Sequence, residues 1–126
     1  MPIQINIDKP HRLVTSRCSG ELHDEDLLGV RQRFKTDPDF NPAFSRIIDM
    51  TNVTAIEMSD TMLNEWASDP MIDSNARRAL VCTKPEVMTS MLDYIARARR
   101  HSIDVSVFPD YDAAKRWIDH REDLNA

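Results

Sequence analysis

Glycine is scarce in this chain. Only Gly20 and Gly29 occur in 126 residues, and that excludes the familiar nucleotide-binding loops. A phosphate cradle needs several glycines so that backbone N–H groups can approach the anion. Neither glycine opens a helix after a strand in a GxGxxG or GxxxxGKS pattern. Cysteine is equally sparse: Cys18 and Cys82 stand far apart, without a CxxC partner, so a disulfide scaffold is excluded. Apolar runs such as Ala79-Leu80-Val81-Cys82 reach about four residues, against the roughly twenty that a membrane helix requires. Neither sign of charge dominates. Sixteen basic against twenty-one acidic residues leave a net charge of −5, which disfavours non-specific adhesion to nucleic acid or to anionic membrane. The first residues, Met1-Pro2-Ile3-Gln4-Ile5-Asn6-Ile7-Asp8, carry no basic stretch followed by an apolar one, so no secretory leader is expected. A reducing, cytoplasmic location is the simplest expectation.

What remains is an ordinary globular composition, 41% hydrophobic and 29% charged. A single domain of this length hides roughly two-thirds of its unfolded surface. Ile3, Ile5 and Ile7 alternate with polar residues, the period-two pattern of a strand with one buried face. After the break at Lys9-Pro10-His11, Leu13 to Cys18 reads as a second strand in a hairpin with the first. From Asp24, the expected N-cap, the period becomes helical through Leu27, Leu28, Arg31 and Phe34. Asp37-Pro38 and Asn41-Pro42 close that helix in an exposed turn.

Ile47-Ile48-Asp49-Met50 then predicts a central strand. Ser59 or Asp60 caps a helix with the stripe Met62, Leu63, Trp66 and Ala67. Pro70 to Arg77 reads as a further helical turn, and Arg78 to Cys82 as a strand. Thr83-Lys84-Pro85-Glu86 has the form of a capping box with proline in the first turn. Met88, Met91, Leu92 and Ile95 carry the next helix to about Arg100. Val105 to Phe108 is the last strand, and Asp110 caps a final helix bearing Ala113, Ala114, Trp117 and Ile118. The order β-β-α-β-α-β-α-β-α predicts an α/β fold: a mixed, mostly parallel five-stranded sheet with helical cover and an antiparallel edge hairpin.

Few residues suggest chemistry. His11, His23, His101 and His120 are scattered, with no i, i+4 histidine partner, and predict neither a metal nor a cofactor site. There is no GxSxG elbow. Cys82 precedes a helix start, which lowers a thiol pKa, but its apolar strand neighbours argue for a buried structural thiol. Acidic groups such as Asp24-Glu25-Asp26 suit the positive ends of helices. Arg97, Arg99, Arg100 and His101 offer either a solvated helix end or a seat for an acidic group. Met58, Met62, Met88 and Met91 fit core packing or an adaptable apolar pocket. An enzyme is the least supported class.

The segment from Asp49 to Asp60 stands out. It is read as a loop leaving the carboxyl end of a central strand, where open α/β sheets meet ligands and partners. Thr51, Thr54, Ser59 and Thr61 make it rich in hydroxyls. A phosphate on Ser59 or Thr61 would lie at a helix N-terminus, where its charge is favourable.

Here the chain resembles a known family. Ile47-Ile48-Asp49-Met50, then Val53-Thr54-x-Ile56-Glu57-x-Ser59, looks like the strand, loop and helix start of the STAS domain, the module of anti-sigma-factor antagonists and sulphate-transporter tails. More narrowly, the chain resembles small uncharacterised bacterial STAS-like proteins. That similarity is carried by Arg12-Leu13-Val14, Gly20-Glu21-Leu22, Asp37-Pro38-Asp39-Phe40 with Pro42, Asp49, Val53-Thr54, and Val107-Phe108 followed by Ala114 and Trp117. The resemblance implies a cofactor-free protein-binding module, in some members switched by phosphorylation of a serine after the loop's acidic residue. If Glu57 is that acid, Met58 takes the phosphoacceptor position, Ser59 comes next, and Asp60 replaces the usual glycine. The expectation is a cytoplasmic, non-catalytic regulatory module. Its protein partner would meet Thr51, Thr54, Glu57, Met58, Ser59, Asp60, Thr61 and the helix through Trp66, and homodimerisation is compatible with this. The alternative is a small apolar ligand carrier or sensor, with a pocket between the sheet and the Met-bearing helices.

Overall fold

A computed structural model describes residues 2–68 and 76–120. The element order is β1 (Ile3–Asp8), β2 (Leu13–His23), α1 (Asp24–Thr36), β3 (Ser45–Glu57), α2 (Asp60–Ala67), β4 (Arg77–Val81), α3 (Pro85–Arg99), β5 (Asp104–Phe108) and α4 (Tyr111–Asp119). The strands form one sheet in the order β1-β2-β3-β4-β5. β1 pairs antiparallel with β2, and every other neighbouring pair is parallel. The mixed, mostly parallel sheet read from the sequence is therefore present.

The topology follows from handedness. Each step from β2 to β5 moves one strand in the same direction, and right-handed crossovers then place all three connecting helices on one face. That face holds the main core: Leu22, Ile48, Met50, Val53 and Leu80 from the strands meet Leu27, Met62, Trp66, Val87, Met91, Tyr94 and Ile95 from the helices. α4 follows the last strand and folds onto the opposite face. There Leu13, Ile47, Ala79 and Val81 pack against Ala114, Trp117 and Ile118. Strand alternation divides the residues between the two sides, so that Ile47 and Ile48 serve different cores. A smaller cluster of Val14, Phe34 and Phe44, joined by Ile5, Ile7, Val30 and Phe40, closes the far end of α1.

Three arginines are buried on β3 and β4, and aromatic rings cover them. Arg46 lies 4.9 Å from the Phe34 ring and Arg77 lies 4.6 Å from the Trp117 ring. Arg78, fully buried, donates from Nη1 to the Tyr94 hydroxyl and to the Trp66 carbonyl at 3.3 Å. Stacking on a π face and hydrogen bonding compensate a guanidinium that is taken out of water.

Several local expectations need correction. The N-cap of α1 is His23, not Asp24; the His23 N–H donates to the Asp26 carboxylate at 2.8 Å, and Asp24 turns elsewhere. Leu28 is 50% exposed although it continues the apolar stripe, because Leu27 and Phe34, with Val30 partly buried beside them, set the face that α1 turns onto the sheet. Lys84 rather than Thr83 is the N-cap of α3, without a side-chain cap; Pro85 sets the start by itself. Arg77 belongs to β4, and residues 70–75 of the expected helical turn lie outside the described residues. Asp110 caps α4 as expected, its Oδ1 accepting from the Ala113 N–H at 2.8 Å.

Candidate functional site

The segment read as a loop is mostly strand. β3 runs without a break to Glu57, because β2 also continues past Cys18, to His23, and pairs with it. Two bulges make this possible: β3 carries an extra residue opposite Arg17/Ser19 and another opposite Gly20/Glu21. Bulges sharpen the twist of a strand. Gly20 accommodates the bend with φ +70°, a conformation that costs other residues energy. β4 pairs only with Arg46 to Asp49. From Asn52 to Glu57, β3 therefore has a strand partner on the β2 side alone, and a two-stranded ribbon projects beyond the carboxyl ends of the parallel strands.

The residues proposed from sequence fall on this ribbon and on the start of α2. Thr51 donates from its hydroxyl to Asp49 Oδ1 at 2.6 Å, and its N–H reaches the same oxygen at 3.0 Å. Thr54 and Glu57 are exposed. Beneath them Val53 is fully buried, and its carbonyl accepts from Lys84 Nζ at 3.2 Å, which ties the ribbon to the start of α3. Ser59 is the N-cap of α2: its Oγ accepts from the Met62 N–H at 3.1 Å. The Ser59 N–H in turn donates to Asp24 Oδ1 at 2.8 Å, the contact that draws Asp24 away from its own helix. Asp60 pairs with Arg97 at 2.6 Å, and Arg97 also holds Asp93 at 2.9 Å and Asn64 at 2.8 Å. The Arg97 guanidinium, a sequence candidate for holding an acidic group, is thus already engaged between α2 and α3. Thr61 is exposed in the first turn of α2.

Two of the proposed contact residues are not on the surface. Met58 is half-buried against the core, and Trp66 is 8% exposed with its ring stacked on Tyr94 at 4.0 Å. Trp66 anchors α2 to the core and presents no face to a partner. The physical reason is the helical period, which turns Met62, Leu63 and Trp66 inward together and leaves Asp60, Thr61, Asn64 and Glu65 outside. Sequence reading missed Glu21, Asp24 and Lys84 as parts of this region. Of these, Asp24 had a sequence signal, the acidic run at a helix start, but its link to Ser59 spans thirty-five residues and no local pattern encodes it.

The surface is acidic. Glu21, Asp24 and Glu57 gather near the ribbon's end, with His23 Nε2 3.3 Å from Glu21, while Asp60 is paired with Arg97. Among the described residues, no three His, Cys, Asp or Glu side chains are placed to hold a metal ion. Both thiols are buried. Burial, aided by the Asp49 and Asp26 charges, pushes the Cys18 pKa up to about 12. Burial also raises that of Cys82, against the opposing influence of the Lys84 backbone and charge.

A partly open space of about 40 Å³ lies between α1 and the sheet, lined by Cys18, Leu22, Phe34, Met50, Met58 and Trp66 among others. Met62, Met88 and Met91 do not line it; they pack in the main core. No described helix is long and apolar enough to cross a membrane.

An antiparallel edge hairpin, three crossover helices on one face and a terminal helix on the other define the SpoIIAA-like, or STAS, fold. Among solved structures the chain is similar to an uncharacterised protein of the DUF3478 family with a SpoIIAA-like fold from Shewanella loihica PV-4. The TM-score is 0.58 with 15% identity, over 92% of this chain and 91% of that one. No family model matches the sequence, and no curated protein matches it. At this identity the likeness concerns the fold.

Proposed function

We propose that the chain is a non-catalytic regulatory module that binds a protein partner through the projecting end of β3 and the start of α2. Thr51, Thr54, Glu57, Ser59, Asp60 and Thr61 are its contacts, with Met58 beneath them. The observation that supports this reading is the ribbon itself. β3 leaves β4 at Asp49 but continues to Glu57, with exposed side chains, at the carboxyl end of the parallel strands. That end is where open α/β sheets receive ligands and partners. The local acidity fits a partner with basic residues, since complementary charge steers encounter and suppresses wrong partners. The hydroxyls of Ser59 and Thr61 offer sites for phosphate at the α2 N-terminus. On Ser59 it would displace the cap to Met62 and meet the Asp24 carboxylate, so Thr61 is the less obstructed acceptor.

The test compares the tagged protein with the double variant Thr54→Arg/Glu57→Arg, both isolated from its native cells. These exposed side chains take no part in the cap or in the core. A partner retained by the parent and lost by the variant supports the surface; equal retention overturns it. Intact mass on the same preparations reads any added phosphate.

The apolar-carrier reading has one observation in its favour, the space beneath α1. At about 40 Å³ it is small beside the roughly 150 Å³ void that takes up benzene. A non-covalent small molecule in the native mass spectrum would promote it.

A further inference from the structure

β1 is one of the two edge strands of the sheet, and between Pro2 and Asp8 its middle is unprotected. Its run Ile3-Gln4-Ile5-Asn6-Ile7 contains no charge and no proline. Edge strands normally carry such residues to discourage pairing with another chain. The three isoleucines are only partly buried. Beside them runs a groove of about 300 Å³ between β1 and α1, lined by Pro2, Ile3, Ile5, Glu25, Gly29 and Arg33 among others. Glu25, Gly29 and Arg33 are spaced four apart and form one row along α1. Exposed Leu28 borders that row. At Gly29 an added Cβ would meet nothing within 4 Å, so the helix leaves open space there.

Strand and helix share one property: each is self-complementary about its centre. A crossover helix runs against its parallel strands, and β1 runs against β2, so α1 and β1 point the same way. In an antiparallel pairing of β1 with a second β1 centred on Ile5, Ile3 meets the partner copy's Ile7, Gln4 meets its Asn6, and Ile5 meets Ile5. The same two-fold axis sets the two α1 helices antiparallel on one face of a continuous sheet. If Gly29 lies level with Ile5, Gly29 then faces Gly29, and Glu25 faces Arg33, which also holds Asp37 of its own chain at 3.1 Å, at each end of the row. Opposite charges meet twice, and the glycines allow the helices to approach. Closed two-fold symmetry demands such an isologous match.

We infer that the chain forms a two-fold homodimer through the β1 edge and the Glu25-Gly29-Arg33 row of α1, with a second copy of this chain as the occupant of the groove. This surface is separate from the 51–61 region and does not depend on what that region binds.

Sedimentation equilibrium across the micromolar range, with circular dichroism as the fold control, tests the inference. The parent is expected to sediment at twice the chain mass. Gly29→Trp fills the groove from a position with open space above it and is expected to give a folded monomer. Glu25→Arg and Arg33→Glu are each expected to weaken the dimer about tenfold or more, and the double swap Glu25→Arg/Arg33→Glu to restore it. A parent that is monomeric throughout overturns the inference. So does a dimer that Gly29→Trp leaves intact, or a double swap that fails to recover what the single swaps lost.

Discussion

Cys18 is 5% exposed on β2, beneath α1 and close enough to the Asp49 and Asp26 carboxylates for them to oppose its ionisation. With its folded pKa raised to about 12 from an ordinary value near 9, the thiol is expected to resist alkylation at pH 8 until the protein unfolds. The same shift links stability to pH. Below pH 9 both folded and unfolded chains hold the proton, and the contribution is constant. Between pH 9 and about 12 the unfolded chain loses the proton while the folded one keeps it, so stability falls as pH rises. Denaturant titrations at intervals across this window should show a steeper decline for the parent than for Cys18→Ala. Ser59 illustrates the other residue-scale lesson. Its hydroxyl is committed to the Met62 N–H, so a residue that reads as a regulatory acceptor is first of all a helix cap.

At the scale of elements, the two glycines do different work. Gly20 sits at φ +70° between the bulges that let β2 follow β3 to Glu57, whereas Gly29 lies in a regular helix with open space above it. The same substitution should therefore have opposite signs. Gly20→Ala is expected to destabilise by about 1–2 kcal/mol through its left-handed backbone. Gly29→Ala should stabilise the single chain by about 0.8–1 kcal/mol through helix propensity, read at a protein concentration low enough that the inferred dimer, whose helices approach at this glycine, has dissociated. Urea unfolding of both variants checks the pair. The elements also show what a sequence hides. The alternation in β1 and the capped helical stripe of α2 were legible because each is a local periodicity. The strand character of Asn52 to Glu57 was not, since its hydroxyls and charges read as loop. Only pairing with Ser19 to His23, some thirty residues away in sequence, holds that segment extended.

Across the whole molecule, stability should be graded along β3. Ile47 and Ile48 lie between β2 and β4 with a core on each side, while the same strand beyond Asn52 has one strand neighbour and an exposed surface. Native-state hydrogen exchange is expected to find the slowest amides at Ile47, Ile48, Ala79 and Leu80, and faster exchange from Thr54 to Glu57. Uniform protection along β3 would mean that the ribbon is covered, by a partner or by a second copy. The sequence by itself determined the order of elements, the sidedness of β1, the central place of β3, a cap at Ser59 or Asp60 and one at Asp110, and the absence of nucleotide-binding loops. All of these follow from periodicity, propensity or short spacing. The tertiary structure alone decided that the 51–57 segment is a strand, that Trp66 is core, that Arg97 is already paired, and that Glu25, Gly29 and Arg33 line an open edge. Each depends on contacts between residues distant in sequence, which a local pattern cannot encode.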